Sequence, residues 1–452
     1  MALSPAMAVR SKGRSEWLRT EAGLVVPRRA VLRGGLASLA AAMMSRTLPG
    51  CGPGTMATPD AGADGGADGG PPRIDSGVDA GMHPGFPMRD IPAPPPLRSL
   101  ISEIGPLAAE PDANGLRLPA GFTSRVIGQT GEMVPGTSYE WHVAPDGGST
   151  YGTEDGGWIY VSNSEVPIIG GAGAVRFSAS GEIVGAHRIL ERTQVNCAGG
   201  KTPWHTLLSC EEIAQGLVYE CDPWGETPAL ARPALGAFKH EAATIDPVRA
   251  HVYLTEDESD GRFYRFVPDA LTAEGFPDLS SGRLEVASVG GDMRVTWIEL
   301  PDPQVTGSTP TRMQVAASTV FRGGEGIWYH EGVVFFSTKG DHHVWRYDVV
   351  SSELTVLYDG SAIPDPVLSG VDNLTVTCCG DVLVAEDGGS MDIVAILPDG
   401  TLTRLVNVVG QESSEITGPA FDPSGTRLYF SSQRAPGGGR TYEIEGPFHE
   451  PV

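Results

Sequence analysis

Residues 196–212, NCAGGKTPWHTLLSCEE, set Cys197 ahead of a glycine pair and end a strand-like run on Glu211 and Glu212. Buried carboxylates and a lone thiol are costly unless they are paired or bind a metal. The pattern recurs along the chain. WIYVSNSE ends at Glu165, HVYLTEDE carries Glu256 and Asp257, and VVFFSTKGD ends at Asp341. DVLVAEDGG carries Glu386 and Asp387, and RLYFSSQR ends on Gln433 and Arg434. About ten to twelve residues before the apolar anchor of each run stands another polar residue. These are Cys197, Glu241 in KHEAATIDP, Glu325 in GGEGIWYHEG, and Asn373, beside Asp372, in VDNLTVTCCGD. Pro419 takes that place in TGPAFDPSG.

Taking Tyr160, Leu207, Tyr253, Phe335, Leu383 and Tyr429 as the anchors, the intervals are 47, 46, 82, 48 and 46 residues. A period near 47 with short strands and turn signals (DPVRAH, YHEG, TCCGD, DPSG) predicts propeller blades, each opening with a hairpin. The fold expected is all-β, a six-bladed β-propeller. The long interval leaves a seventh, degenerate blade open, because LEVASVGG and VTWIELPD also read as strands. The start of a hairpin's first strand and the end of its second lie at one end. Both sets of polar residues therefore gather around one mouth of the central channel.

That ring comprises Glu165, Cys197, Glu211, Glu212, Glu241, Glu256, Asp257, Glu325, Asp372, Glu386 and Asp387. So many carboxylates raise one another's pKa unless cations intervene. Oxygen ligands suit Ca²⁺, Mg²⁺ or Mn²⁺, whereas a thiolate among them suits a transition metal such as iron. The competing reading is that acidic residues at strand ends only cap turn amides. Other motifs are incomplete: HEAAT (240–244) lacks a second histidine, no G-x-S-x-G elbow occurs, and GGAGAV (170–175) has no βαβ context. Asp341, His342 and His343 read as a strand end. A disulfide between Cys210 and Cys221, or one at Cys378 and Cys379, is open after export.

The formal charge of −24 argues against a nucleic-acid partner. Residues 1–50 carry eight Lys/Arg and two Glu, so their removal would leave −30. Within them, PRRAVLRGGLASLAAAMM resembles a twin-arginine export signal built on Arg28 and Arg29, with an apolar run too short to span a membrane. Leu48-Pro49-Gly50-Cys51 resembles a lipoprotein site, which adds a candidate lipid anchor at Cys51. Residues 51–114 read as an Ala/Gly/Asp/Pro-rich tether, and 115–452 as the propeller domain.

From about residue 115 to 434 these segments, NSE (163–165), NCAGGKTPW with LLSCEE, KHEAA with VYLTEDE, GGEG, DNL with VLVAEDGG, and TGPAFDPSGTRLYFSSQR, resemble the PhoX-type alkaline phosphatases. The resemblance implies an exported bacterial propeller enzyme with an oxo-bridged iron pair, expected as Fe³⁺, and several Ca²⁺ ions. It implies iron ligation by Cys197, Glu241 and Glu325, and calcium held or shared by Glu165, Glu211, Glu212, Asp257, Glu386 and Asp387, with Asp372 a further metal-ligand candidate of no assigned ion. Arg322, Gln433 and Arg434 become the candidate catalytic residues that bind phosphate oxygens. The activity implied is phosphomonoester hydrolysis, in which cations neutralise the phosphoryl oxygens and no side-chain nucleophile is needed. The expected protein is a monomer that acts on a small phosphorylated substrate in the periplasm, or from a lipid anchor at the cell envelope. The chain departs from the family pattern at Ser164 (usually His), at His205 (usually Gly) and at Arg322, displaced by one place from the family's Arg-Pro-Glu-Gly. Two other readings fit a propeller with acidic residues at its axis: a calcium-dependent lactonase or organophosphate hydrolase, and a non-catalytic surface module stabilised by calcium.

Overall fold

The computed structural model describes residues 85–452 and, in a separate N-terminal unit, one antiparallel pair, Trp17–Arg19 with Val25–Pro27. Apart from that pair, the expected export signal, Cys51 and the tether up to residue 84 lie outside the described residues.

Six antiparallel sheets follow in chain order, each opening with an inner strand. The inner strands are Pro145–Gly152, Asn196–Lys201, His240–Asp246, Gly324–His330, Val371–Val376 and Ile416–Phe421, defining blades 1 to 6. Each packs beside the next and the sixth packs against the first, so they close around one axis. This is a six-bladed propeller, as the repeat predicts. All six sequence anchors lie in the second strands of their blades.

The long third interval holds no seventh blade. Its strand-like runs are the fourth and fifth strands of blade 3, Gly282–Val289 and Val295–Glu299. Closure uses the segment before blade 1: Thr123–Gln129 pairs with Arg440–Glu445 as the outer strand of blade 6, and Leu116–Arg117 extends blade 5. Leu97–Ser99 also pairs with His449–Pro451, so the folded body begins before the expected boundary at residue 115.

The second strands carry aromatic and branched residues because their side chains fill the wedges between blades. Tyr160 of blade 1 stacks on Tyr429 of blade 6 at 5.0 Å, and Phe263 of blade 3 on Phe336 of blade 4 at 4.5 Å. Full burial of such a ring contributes about 2–3 kcal/mol. Cys210 and Cys221 pack into different core clusters, Cys210 beside Trp204 and Leu208, Cys221 beside Tyr151 and Ile159. All five described cysteines are free, so neither of the disulfides left open by the sequence is formed in this structure.

Near the axis the inner strands approach too closely for side chains. A Cβ on Gly326 would lie 2.3 Å from the Leu374 amide nitrogen and 2.8 Å from the Asn373 Cα. The axial space lined by Gly147, Ala198, Gly200, Ala242, Gly326, Asn373 and Gly418 is about 30 Å³, room for water but not for a substrate. Any substrate must therefore be met at a mouth of the propeller rather than in its bore.

Gly326→Ala should lower stability by roughly 1–3 kcal/mol, since two backbones would have to separate. Gly185→Ala, at a strand position with nothing within 4 Å of the added carbon, serves as control. Equal denaturation midpoints for the two variants would refute the axial packing argument.

Candidate metal centre

Every blade carries the same defect at the same place. Between its first and second strands the register slips by one residue: after Pro145, Asn196, His240, Gly324, Val371 and Thr417, three residues on the inner strand face two on its partner. Such a bulge bends the strand and re-aims a side chain. The first residues of the six bulges are Asp146, Cys197, Glu241, Glu325, Asp372 and Gly418. Asp146, Glu241, Glu325 and Asp372 are each at most 4 % exposed.

A second tier follows from the same register. The residues just past the second strands of blades 1 to 5 are Glu165, Glu212, Asp257, Lys339 and Asp387. In blade 6 the two strands pair for one residue more, Ile416 with Ser432, which extends the hairpin toward the mouth. There Glu415, Gln433 and Arg434 reach the ring.

Four groups result, each with its ligand atoms within 4.8 Å of one another: Cys197–Glu212–Glu241, Glu241–Glu325–Asp372, Asp372–Asp387–Glu415 and Asp146–Glu165–Glu415. They share Glu241, Asp372 and Glu415 and so form one continuous cluster. The Cys197 thiol donates to Glu241 Oε1 at 3.1 Å and lies 3.7 Å from Asp146 Oδ2.

Three cations meet this cluster. Lys239 Nζ lies 2.6 Å from Glu212 and 3.0 Å from Asp257; Lys339 Nζ lies 2.8 Å from Glu325 and 3.5 Å from Asp387. Arg434 bridges Glu165 and Glu415. Gln433 Nε2 donates to Asp146 and to Glu165, leaving its Oε1 buried with no partner. Nine carboxylates (Asp146, Glu165, Glu212, Glu241, Asp257, Glu325, Asp372, Asp387, Glu415) thus face three side-chain cations.

The protonation pattern registers that imbalance. Burial, reinforced by neighbouring carboxylates, pushes Asp146, Glu241 and Glu325 well above the usual carboxylate range. Burial pushes Glu212, Asp372 and Glu415 up to about 7 despite their cationic neighbours. Only at Asp257 do Lys339 and Lys239 outweigh burial and hold the carboxyl below its ordinary value. Burial, then Asp146 and Glu241, also drive the Cys197 thiol well up. The donor set fits multivalent cations: oxygen-rich, strongly anionic, with a single sulfur at one end and an orphaned acceptor at Gln433.

Of the residues expected from sequence, Cys197, Glu241, Glu325, Glu165, Glu212, Asp257, Asp372, Asp387, Gln433 and Arg434 converge here. Glu211 and Glu386 are turned away. Glu211 accepts from the Gln194 and Leu217 amides, and Glu386 from those of Ser369 and Asp392. Glu256 caps likewise, accepting from the Arg262 amide and the Tyr264 hydroxyl. These three are the strand-end caps of the competing reading. Arg322 is exposed; its backbone carbonyl accepts from Gly340, and its side chain forms no ion pair among the described residues.

Sequence reasoning missed Asp146, Glu415, Lys239 and Lys339. Asp146 lies fourteen residues before its anchor because blade 1 turns through the longer Thr153–Gly157 loop, outside the spacing of the other blades. Lys239 directly precedes the HEAA bulge, a position the pattern did not include.

A six-bladed propeller with an acidic, thiol-bearing cluster at one mouth defines a candidate metallohydrolase architecture. The family model of alkaline phosphatase PhoX matches residues 163–221 and 214–351, the blades that supply Cys197, Glu241 and Glu325. Over that span the chain is similar to the PhoX alkaline phosphatases, as are its motifs. Among solved structures, Pseudomonas fluorescens PhoX in complex with vanadate, a transition-state analogue, superposes with a TM-score of 0.61 at 17 % identity, covering 76 % of this chain and 97 % of that one. That likeness shows the fold. A Bacteroides thetaiotaomicron protein of unknown function matches at TM-score 0.47 and 9 % identity, covering 75 % of this chain and 84 % of that one. A Xanthomonas campestris gluconolactonase matches at TM-score 0.40 and 12 % identity, covering 81 % and 99 %. No curated protein matches the chain.

The raised carboxylates set the pH dependence of the metal-free fold. The folded chain holds protons that the unfolded chain releases near pH 4, so metal-free stability should fall as pH rises from about 4 to about 7. Thermal unfolding of chelator-treated protein across that range tests this. The midpoint should drop with pH and recover on adding Ca²⁺. A midpoint that rises with pH would contradict the assignment.

Proposed function

We propose that this chain is a secreted metal-dependent phosphatase that cleaves small phosphomonoesters at the acidic mouth of the propeller. The observation that carries this reading is the excess of nine clustered carboxylates over three cations, on the blades where the PhoX family model matches. Cys197, Glu241 and Glu325 would hold iron, with Asp146 beside the thiol. Glu165, Glu212, Asp257, Asp372, Asp387 and Glu415 would hold or share calcium. When bound, these ions would supply concentrated positive charge against the phosphoryl oxygens of a bond undergoing in-line displacement.

The chain's own residues then bind and orient. Arg434 and Lys339 are already committed to carboxylates, so their first task is to hold Glu165, Glu415, Glu325 and Asp387 in place. Arg322, exposed and without an ion-pair partner, is the guanidinium that can take a phosphate oxygen without breaking an existing pair. Gln433 fixes Asp146 and Glu165 through its amide. The narrow bore beneath the cluster keeps the substrate at the mouth, open to leaving groups of varied size.

The protein would be exported folded by the twin-arginine route, with its cluster assembled beforehand, and would act in the periplasm, or tethered through Cys51, as a monomer. Replacing both Arg28 and Arg29 by Lys should leave the protein in the cytoplasm. Unchanged periplasmic recovery would reject that route.

Elemental analysis of protein purified after export should find iron and calcium, and EDTA should abolish p-nitrophenyl phosphate turnover. Glu241→Ala and Glu325→Ala should each remove activity with circular dichroism unchanged, and Arg322→Ala should raise KM on the order of tenfold. Calcium without iron, or full activity in both Glu variants, would overturn the proposal.

A further inference from the structure

The propeller carries a second cluster of metal-ligating side chains. In blade 5 the inner strand begins beside Asp372 at the acidic mouth and ends at Val376, and the turn beyond it holds Cys378 and Cys379. Cys378 lies six residues beyond Asp372 along largely extended backbone, about 20 Å. The turn therefore lies at the opposite end of the blade.

There Cys378 Sγ and Cys379 Sγ are 3.7 Å apart, and a ring nitrogen of His449 lies within 4.8 Å of both sulfurs. Two thiolates bound tetrahedrally to one zinc, at about 2.3 Å each, are separated by about 3.7 Å. The pair thus already stands at the bite of a tetrahedral ion.

His449 supplies the independent observation. Its ring is 4 % exposed, and Nδ1 is 2.8 Å from the carbonyl of Gly425 in the blade 6 turn. A carbonyl accepts only, so Nδ1 carries the proton and Nε2 carries the free lone pair. Nε2 is buried with no hydrogen-bond partner. A carbonyl fixing one imidazole nitrogen so that the other can ligate is the usual outer support of a metal-bound histidine. Gly425 makes room for it: a Cβ there would lie 2.9 Å from His449 Nδ1.

We propose that Cys378, Cys379 and His449 form a binding site for a single thiophilic cation, Zn²⁺ or Cu⁺, separate from the acidic cluster. Cys378 is exposed, which gives the ion an entry path and leaves a fourth position to solvent. Cys379 Sγ now donates to the Leu97 carbonyl at 3.3 Å. Binding displaces the thiol protons to solvent as two metal–sulfur bonds form. Because His449 lies on the strand paired with Leu97–Ser99, the ion would fasten the N- and C-terminal strands to blade 5.

The test uses the exported full-length protein, reduced, titrated separately with Zn²⁺ and with Cu⁺ under anaerobic conditions. Wild type should bind about one equivalent beyond its iron and calcium, and Co²⁺ substitution should give a thiolate charge-transfer band. Cys378→Ser with Cys379→Ser, and separately His449→Gln, should weaken that binding on the order of 100-fold or more while iron, calcium and turnover stay unchanged. The cysteine pair lies in a surface turn and keeps the test valid if the histidine variant does not fold. Equal stoichiometry and affinity in wild type and the cysteine variant, or a Cys378–Cys379 disulfide found by mass spectrometry in the protein as isolated, would overturn the site.

Discussion

Mutual repulsion among carboxylates packed at one end of a closed ring is the constraint on which this structure rests. Six inner strands converge on one axis, each with a bulge, and five of the six bulges turn a side chain toward the same small volume, the sixth beginning at Gly418. Four of those side chains are buried carboxyls and one is a thiol. Without positive charge such a mouth stays closed only by protonating, which is what the upward shifts of Asp146, Glu241 and Glu325 express. The aromatic wedges and hairpin ladders in the rest of each blade offset this cost.

Lys239, Lys339 and Arg434 act as built-in counter-ions. Each spans carboxylates from two different blades: blades 2 and 3 for Lys239, 4 and 5 for the partners of Lys339, 1 and 6 for Arg434. Together they stitch the mouth at three of the blade junctions. The remaining junctions, between blades 1 and 2, 3 and 4, and 5 and 6, are where Asp146 approaches Cys197, Glu241 approaches Glu325, and Asp372 and Asp387 approach Glu415. No ion pair within the cluster crosses those junctions among the described residues, so added ions have most to neutralise there.

Much of this was legible in the sequence because a propeller repeats its chemistry as well as its strands. A period near 47 residues fixed the number of blades, and polar residues at strand starts and ends marked one mouth. What periodicity could not separate was the parity of neighbours. Glu211 and Glu212 are adjacent, yet a strand points them to opposite sides, one to turn amides and the other to the cluster. The same holds for Glu386 and Asp387. Asp146 and Glu415 escaped because a longer turn in blade 1 and an extra pair in blade 6 moved them off the common spacing. The additional strand of blade 3 resembled a seventh blade because edge and inner strands share the same alternation.

The three departures from the PhoX pattern differ in weight once placed in the fold. His205 sits in the blade 2 hairpin turn with φ 68°, the left-handed conformation glycine adopts without strain, at the end of the blade away from the cluster. A glycine-to-histidine change there costs conformational energy and leaves the chemistry alone. Ser164 donates to the Val143 carbonyl and is 1 % exposed, so its hydroxyl is occupied in holding the bend that leads into the inner strand of blade 1. A residue committed in this way supplies no ligand, and Asp146 and Glu165 carry the anionic charge of that blade instead. Arg322 is different. Its carbonyl is tied to Gly340, beside the lysine that holds Glu325, while its guanidinium is unpaired. Shifting that arginine by one residue therefore leaves the Glu325 carboxyl and its pairing with Lys339 untouched, and alters only the reach of a guanidinium that forms no ion pair among the described residues. Under the proposed phosphatase reading, any divergence in substrate preference should begin there, because it is the one of the three departures that changes what a phosphate would meet.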